Sequence, residues 1–185
     1  ERLIVDEAIS FFAEVGLGGQ TRELAQRLGV TQPLIYRYFP TKQDLIERVY
    51  EEVFVGRWRP EWTGLISDRS RDLRDRLIDF YRVYARDVLP YEWIRIYMFA
   101  GLAGEDINRR YIALLEDQLL VPIATEVRHA AGVPGLDDVA VGGLEIEAAW
   151  HIHAAVFYYF VRKHIYQAKT EAYLDAFIVD AVDRT

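Results

Sequence analysis

Apolar residues recur at spacings of three and four through Ile4, Ala8, Phe11, Phe12 and Val15, a pattern that predicts an amphipathic helix stopped by Gly16 and the Gly18-Gly19 pair. A second, short helix is predicted with Thr21 as its N-cap, Glu23 in its first turn, Leu24, Ala25 and Leu28 facing inward, and Gly29 closing it. Thr31 caps a third short helix that tolerates Pro33 in its first turn and ends at Phe39-Pro40, because a residue before proline is pushed out of the helical region. Thr41 opens a fourth, longer helix whose stripe is Leu45, Ile46, Val49, Tyr50 and Val53.

After Gly56 the chain turns rich in Trp, Pro and Gly from Trp58 to Gly64 and is then strongly charged from Asp68 to Arg76, so a domain boundary is expected near Gly56, dividing residues 1–56 from 57–185. Leu73, Leu77, Phe80, Tyr81, Tyr84 and Val88 predict a helix ending at Pro90, and an apolar segment follows from Trp93 to Leu102. A longer pattern from Ile107 to Ala131, with Pro122 as an expected kink, ends at Gly132 before a Val133-Pro134-Gly135 loop. Val139 to Gln167 and Thr170 to Val182 complete the pattern as two final helices. No strand alternation or internal repeat interrupts it, so the fold class is all-α.

Composition narrows the function classes. The 185 residues contain no cysteine, which excludes a disulfide framework and thiolate metal sites. No apolar run reaches the roughly 20 residues of a membrane span, and Glu1-Arg2-Leu3-Ile4-Val5-Asp6 lacks a signal-peptide plan. The expectation is a cytoplasmic protein with no membrane partner. Glu1 already lies on a helical pattern with no initiator Met ahead of it, which leaves room for a preceding basic arm. A net charge of −7 argues against bulk coating of nucleic acid. Locally the sign differs: residues 1–56 carry six basic groups against nine acidic, whereas Thr21 to Arg48 carries five against three.

That positive stretch contains the candidate chemistry. Two short helices joined by a glycine turn have the form of a helix-turn-helix, with Ala25 allowing close approach, Val30 filling beneath the turn, and Ile35 and Phe39 anchoring the second helix. Gln32, Pro33, Tyr36 and Arg37 then face outward, where a Gln amide can pair with adenine, Arg with guanine or phosphate, and Pro and Tyr with thymine methyls or sugars. Leu34 and Tyr38 sit between the faces, and Tyr38 reads equally as a core ring. Lys42, in the first turn of the fourth helix, opposes the helix dipole unless a phosphate joins it there. Thr21 and Arg22 could hold a phosphate on the other side. The alternative is a structural helix pair that never meets DNA.

The run from Thr21 to Leu45 closely resembles the DNA-binding head of TetR-family repressors, through Ala25, Gly29, Tyr36, Phe39, Lys42, Asp44 and Leu45. The resemblance covers about the first quarter of the chain, and the link from Gly16 to Ala25 looks one residue shorter than the family's. It implies that Thr31, Gln32, Pro33, Tyr36, Tyr38 and Lys42 touch double-stranded operator DNA. It also implies an all-α plan of about nine helices, with a three-helix helix-turn-helix head and a larger ligand-binding and dimerisation body. The implied partners are a second copy of the chain and a small-molecule effector.

In the body, Tyr81, Tyr84, Trp93, Tyr97, Met98, Trp150, His151 and Tyr158 are candidate pocket residues, since rings with polar edges suit flat ligands, although ordinary core packing accounts for many of them. Arg95 reads as a surface residue or as a counter-ion for an acidic ligand. Glu147 and His151 share a face but fall short of a metal site, so neither metal nor other cofactor is expected. The last two helices are apolar on more than one face, which makes Ala154, Ala155, Val161, Tyr173, Ala176 and Phe177 candidates for a dimer interface. No nucleophile with a nearby base, phosphate-cradling Gly loop or paired carboxylates suggests an enzyme. A regulator controlled by a protein partner, or a carrier of a hydrophobic metabolite, remains as the alternative. Effector, operator and the sign of regulation are not legible in the sequence.

Overall fold

The computed structural model describes residues 1–132, 139–170 and 173–184, and every regular element among them is helical. The all-α expectation holds. The chain forms two compact units, one of residues 1–58 with 90–109 and the other of residues 59–89 with 110–185.

In the first unit, α1 (Arg2–Val15) buries Ile4, Val5, Ala8, Phe11, Phe12 and Ala13, and ends on Gly16 at φ 81. Helix α2 (Thr21–Leu28) starts from Gln20 as N-cap, so Thr21 is its first helical residue and not its cap. Gly29 closes it at φ 65, the left-handed conformation that glycine adopts without Cβ strain. Helix α3 (Gln32–Tyr38) starts from Thr31, whose side chain makes no capping bond, and stops at an extended Phe39 before Pro40. Helix α4 (Lys42–Tyr50) carries a full capping box between Thr41 and Asp44 and runs on through a π-helical turn, Glu51–Val55.

Helix α7 (Tyr91–Ala103) belongs to this first unit and packs on α1. Trp93 stacks on Tyr97 with centroids 4.9 Å apart and meets Phe54 at 5.1 Å. Arg95 donates to the carbonyls of Ala13 and Glu14 at the end of α1 and lies over the rings of Tyr91 and Phe99. It is half-buried, and its cation satisfies the terminal carbonyls of a helix.

The second unit contains α5 (Glu61–Ser67), formed within the stretch whose Trp, Pro and Gly content suggested a linker. Its Trp62 and Ile66 are buried, and Trp62 packs edge-on against Phe80 and Tyr84, each at 5.8 Å. Helix α6 (Leu73–Val88) is capped by Asp72, which accepts from the Arg74 N–H. Helix α8 (Asp106–Leu115) crosses from the first unit into the second. A π-helical turn, Glu116–Leu120, then leads without a break in helical backbone into α9 (Val121–Ala130), so the departure from regular α-helix lies just ahead of Pro122, which has no N–H to give.

Helices α10 (Gly143–His164) and α11 (Leu174–Asp183) begin later than the sequence pattern suggests. Arg74–Asp183 and Arg82–Asp175 pairs tie α11 to α6. The expected Val133-Pro134-Gly135 loop lies outside the described residues. Beneath these helices, the buried Arg76 binds Glu126 at 2.9 Å and also donates to the Ile66 carbonyl, while Arg69 grips the same carboxylate at 3.0 Å. This network joins α5, α6 and α9.

Candidate nucleic-acid interface and the interior of the body

Ile35, 1% exposed, and Phe39, 5% exposed, fix α3 against the first unit's core. Because they lie on its inner side, the other side of this short helix is pushed outward. Pro33, Leu34, Tyr36, Arg37 and Tyr38 are exposed, as are Thr31 just ahead of the helix and Arg22 on α2, while Gln32 is half-buried. Tyr38, 48% exposed, is a surface ring and not a core one.

Charge is distributed unevenly around this face. Arg27 is bound to Glu14 at 2.7 Å and lies over Phe11, Arg48 is bound to Glu52 at 2.9 Å, and Arg2 is bound to Asp6 and Glu52. Among the described residues, Arg22, Arg37 and Lys42 enter no ion pair. The cations flanking α3 thus keep their charge, while those behind it are neutralised.

Thr21 departs from its sequence reading. It is 6% exposed, and its Oγ1 accepts from Gln32 Nε2 at 2.7 Å and lies 2.9 Å from the Tyr36 hydroxyl. Its oxygen is engaged with α3 and does not cap α2. At α4, Asp44 accepts from the Thr41 N–H at 2.8 Å, and the Asp44 N–H returns a bond to Thr41 Oγ1 at 3.1 Å. The capping box therefore takes the N–H groups of Thr41 and Asp44, leaving those of Lys42 and Gln43 at the dipole's positive end.

The aromatic residues of the body sort by unit and by helical phase. Trp93, Tyr97 and Met98 belong to the first unit, whereas Tyr81, Tyr84, Trp150, His151 and Tyr158 belong to the second, so neither unit alone assembles the expected set. On α10, His151 and Tyr158 are exposed together with Leu144 and Ala154, along one stripe. The inward imidazole is His153, 3% exposed, with its centroid 5.5 Å from both Tyr84 and Trp150 and 6.3 Å from Tyr81. Its phase, shared with Ala149, Ile152 and Val156, was the signal that could have singled it out.

Tyr84 and Tyr111 share a hydroxyl hydrogen bond of 2.7 Å. The Tyr81 hydroxyl and His153 Nδ1 are buried and have no hydrogen-bond partner among the described residues. Burial lowers the His153 imidazole to a pKa of about 3 and raises the Tyr81 phenol, so both are neutral at physiological pH.

Of the expected dimer residues, Ala154, Tyr173 and Ala176 are exposed, and Ala155 and Phe177 are half-buried. Val161 is 3% exposed within its own chain and so presents no surface to a partner. No described helix is long and apolar enough to cross a membrane.

Residues 4–49 match the model of the family described as bacterial regulatory proteins, tetR family. Over 85 residues the chain is 31% identical to the tetracycline repressor protein class A from transposon 1721 of Escherichia coli, a match that spans 42% of this chain and 39% of that repressor. A protein of Mesorhizobium loti assigned to the TetR-family transcriptional regulators superposes with a TM-score of 0.66 at 16% identity, covering 99% of this chain and 93% of its own. A TetR family transcriptional regulator from Pseudomonas syringae pv. tomato superposes with a TM-score of 0.64 at 18% identity, over 98% and 91% of the two chains. At these identities the structural likeness shows a shared fold.

Proposed function

We propose that this chain, whose residues 4–49 belong to the tetR family of bacterial regulatory proteins, is a homodimeric repressor that leaves a pseudo-palindromic operator when a small, largely apolar or aromatic ligand enters its body. The observation that carries the reading is the exposed side of α3. It groups Gln32, Pro33, Tyr36, Arg37 and Tyr38 around a buried Ile35, with the unpaired cations Arg22, Arg37 and Lys42 nearby. A helix so equipped enters a major groove, where Gln32 and Tyr36 reach base edges and Lys42 with the first N–H groups of α4 holds a phosphate.

The exposed stripe of α10, with Leu144 at 89% and Tyr158 at 53%, and the exposed Tyr173 just ahead of α11 support a helical interface with a second copy. The second unit's interior, with two neutral polar atoms set among rings, supports an effector that is flat and uncharged. The name of the Escherichia coli relative supports repression as the sign of control.

The test is binding to duplex DNA from the region flanking the chain's own gene, with Lys42→Ala and Tyr36→Ala alongside the wild type. Lys42→Ala should weaken binding uniformly across sequences and reduce the salt slope by about 1, while Tyr36→Ala relaxes sequence preference. Both should leave the dimer intact in sedimentation. Unchanged affinity in both variants would refute the assignment.

A further inference from the structure

Thr21 has the position of a phosphate contact at the start of α2, but its side chain points the other way. Its hydroxyl is buried and bonded to two side chains of α3, Gln32 at 2.7 Å and Tyr36 at 2.9 Å. These residues lie one helical turn apart and both belong to the reading face. One oxygen therefore ties together two of the groups through which α3 can read bases.

Proton accounting makes this more than a packing contact. The Gln32 Nε2 group can only donate, so Thr21 Oγ1 accepts from it. The Thr21 proton is then free to go to the Tyr36 oxygen, which leaves the phenol's own proton to point outward. The opposite amide orientation would require Thr21 to give its proton to the Gln32 carbonyl and to take the proton of Tyr36. With the Thr21 proton on the Tyr36 oxygen, a donor remains on each of these two residues.

It also selects a base. A primary amide carries one N–H on the same edge as its carbonyl and one on the far side. When the N–H given to Thr21 is the far one, Gln32 presents a carbonyl beside a donor. Adenine offers the complement in the major groove, an N6 amino donor beside the N7 acceptor, whereas guanine offers two acceptors, O6 and N7. An amide released from Thr21 can turn its amino group outward and donate to guanine O6 or thymine O4 as well.

We propose that Thr21 is a positioning residue for sequence readout: through its bonds to Gln32 and Tyr36 it holds the Gln32 amide in the orientation that reads adenine. The proposal rests on the reading of α3 as a major-groove helix. It replaces a phosphate contact by the Thr21 side chain with control of specificity.

The experiment is enrichment from a pool of random double-stranded oligonucleotides, followed by affinity measurements on the selected site with each base substituted in turn. Gln32→Ala first identifies the base pair that Gln32 reads. Thr21→Val, which keeps the branched shape and removes the hydroxyl, should then lower discrimination for adenine at that pair by about 5-fold or more, a substantial part of what a bidentate contact supplies. Preferences at distant pairs should be retained, and Thr21→Ser, which restores the oxygen, should recover discrimination. A Thr21→Val protein that binds all sequences more weakly, with a reduced salt slope and unaltered base preference, would overturn the proposal in favour of a phosphate contact. A selected site whose preference is indifferent to Gln32→Ala would overturn it too. Failure of the wild type to enrich any site would instead remove the DNA-binding reading beneath it.

Discussion

Replacing His153 by Phe separates the cost of a buried neutral imidazole from every other acid-sensitive group in the chain. The ring is 3% exposed among Tyr81, Tyr84 and Trp150, and Nδ1 has no partner among the described residues. Phe keeps a ring of similar size and removes the polar nitrogen, whose desolvation costs about 1 kcal/mol or more, so at pH 7 the variant should be at least as stable as the wild type. With a folded pKa of about 3, the imidazole stays neutral in the native state as the pH falls. The unfolded chain takes up a proton near pH ~6.5, so this group's contribution is fully present above that value and is lost on acidification. Between pH 7 and pH 5 the difference amounts to about 2 kcal/mol, because the unfolded imidazole alone binds the proton. His129, His151 and His164 are common to both proteins and cancel in the comparison. Urea unfolding of both proteins at pH 7, 6 and 5 gives the answer directly, and His153→Phe should gain on the wild type at each step down. A stability gap that does not change with pH would show that His153 is not held neutral in the native body, and the reasoning would fail.

Two further outcomes follow from the same structure. Arg76→Met should cost about 3 kcal/mol in urea unfolding at pH 7, because Glu126 loses its buried partner and the Ile66 carbonyl its donor, whereas Arg76→Met with Glu126→Leu should recover much of the loss. Burial alone would raise the Glu126 carboxyl, but the bonds from Arg69 and Arg76 outweigh it and hold the pKa below its ordinary value. Its stabilisation is therefore present above the unfolded pKa of about 4.3 and fades as pH falls below it, so the Arg76→Met penalty should shrink in acid. Gly16→Ala should destabilise the first unit by about 1–3 kcal/mol, since φ 81 with ψ 169 is a region only glycine adopts without strain. The added Cβ would also lie 3.2 Å from the Phe99 ring of α7, and thermal unfolding with and without operator DNA would measure the loss.

The helices of the head were legible because each boundary carries its own local mark: Gly16, Gly29, Phe39-Pro40, and the Thr41 and Asp44 pair. What escaped the sequence depended on distant partners. Helix α5 has only Trp62 and Ile66 as buried anchors in a Pro- and Gly-containing stretch, and Trp62 is secured by rings of α6 that no local window contains. Thr21 has the right residue type for an N-cap, yet its oxygen is drawn to residues 11 and 15 positions ahead, so Gln20 takes the capping position. In the body, aromatic content announced an interior without saying which rings face it. On α10 the exposed stripe of Leu144, His151, Ala154 and Tyr158 alternates with the buried stripe of Ala149, Ile152, His153 and Val156, and a slip of two residues between His151 and His153 exchanged surface for core.

The same distinction between inventory and placement resolves the charge of the head. Counting groups over residues 1–56 gives an acidic segment, which on bulk electrostatics should repel DNA. The acidic groups are placed so that they consume the wrong cations for repulsion. Glu14 binds Arg27, and Glu52 binds both Arg2 and Arg48. Glu14 and Glu52 lie on α1 and on the π-helical turn, while α3 itself carries no acidic residue. At an ionic strength near 0.15 M the screening length is about 8 Å, so a phosphate docked on α3 responds chiefly to the charges within a turn or two of it. Those include the unpaired Arg37 and, on the neighbouring helices, Arg22 and Lys42. A protein of net charge −7 can in this way offer DNA a locally positive face while remaining poorly suited to coat it indiscriminately. The expected consequence is weak binding to arbitrary duplexes together with selective binding to an operator, the combination that a specific regulator requires.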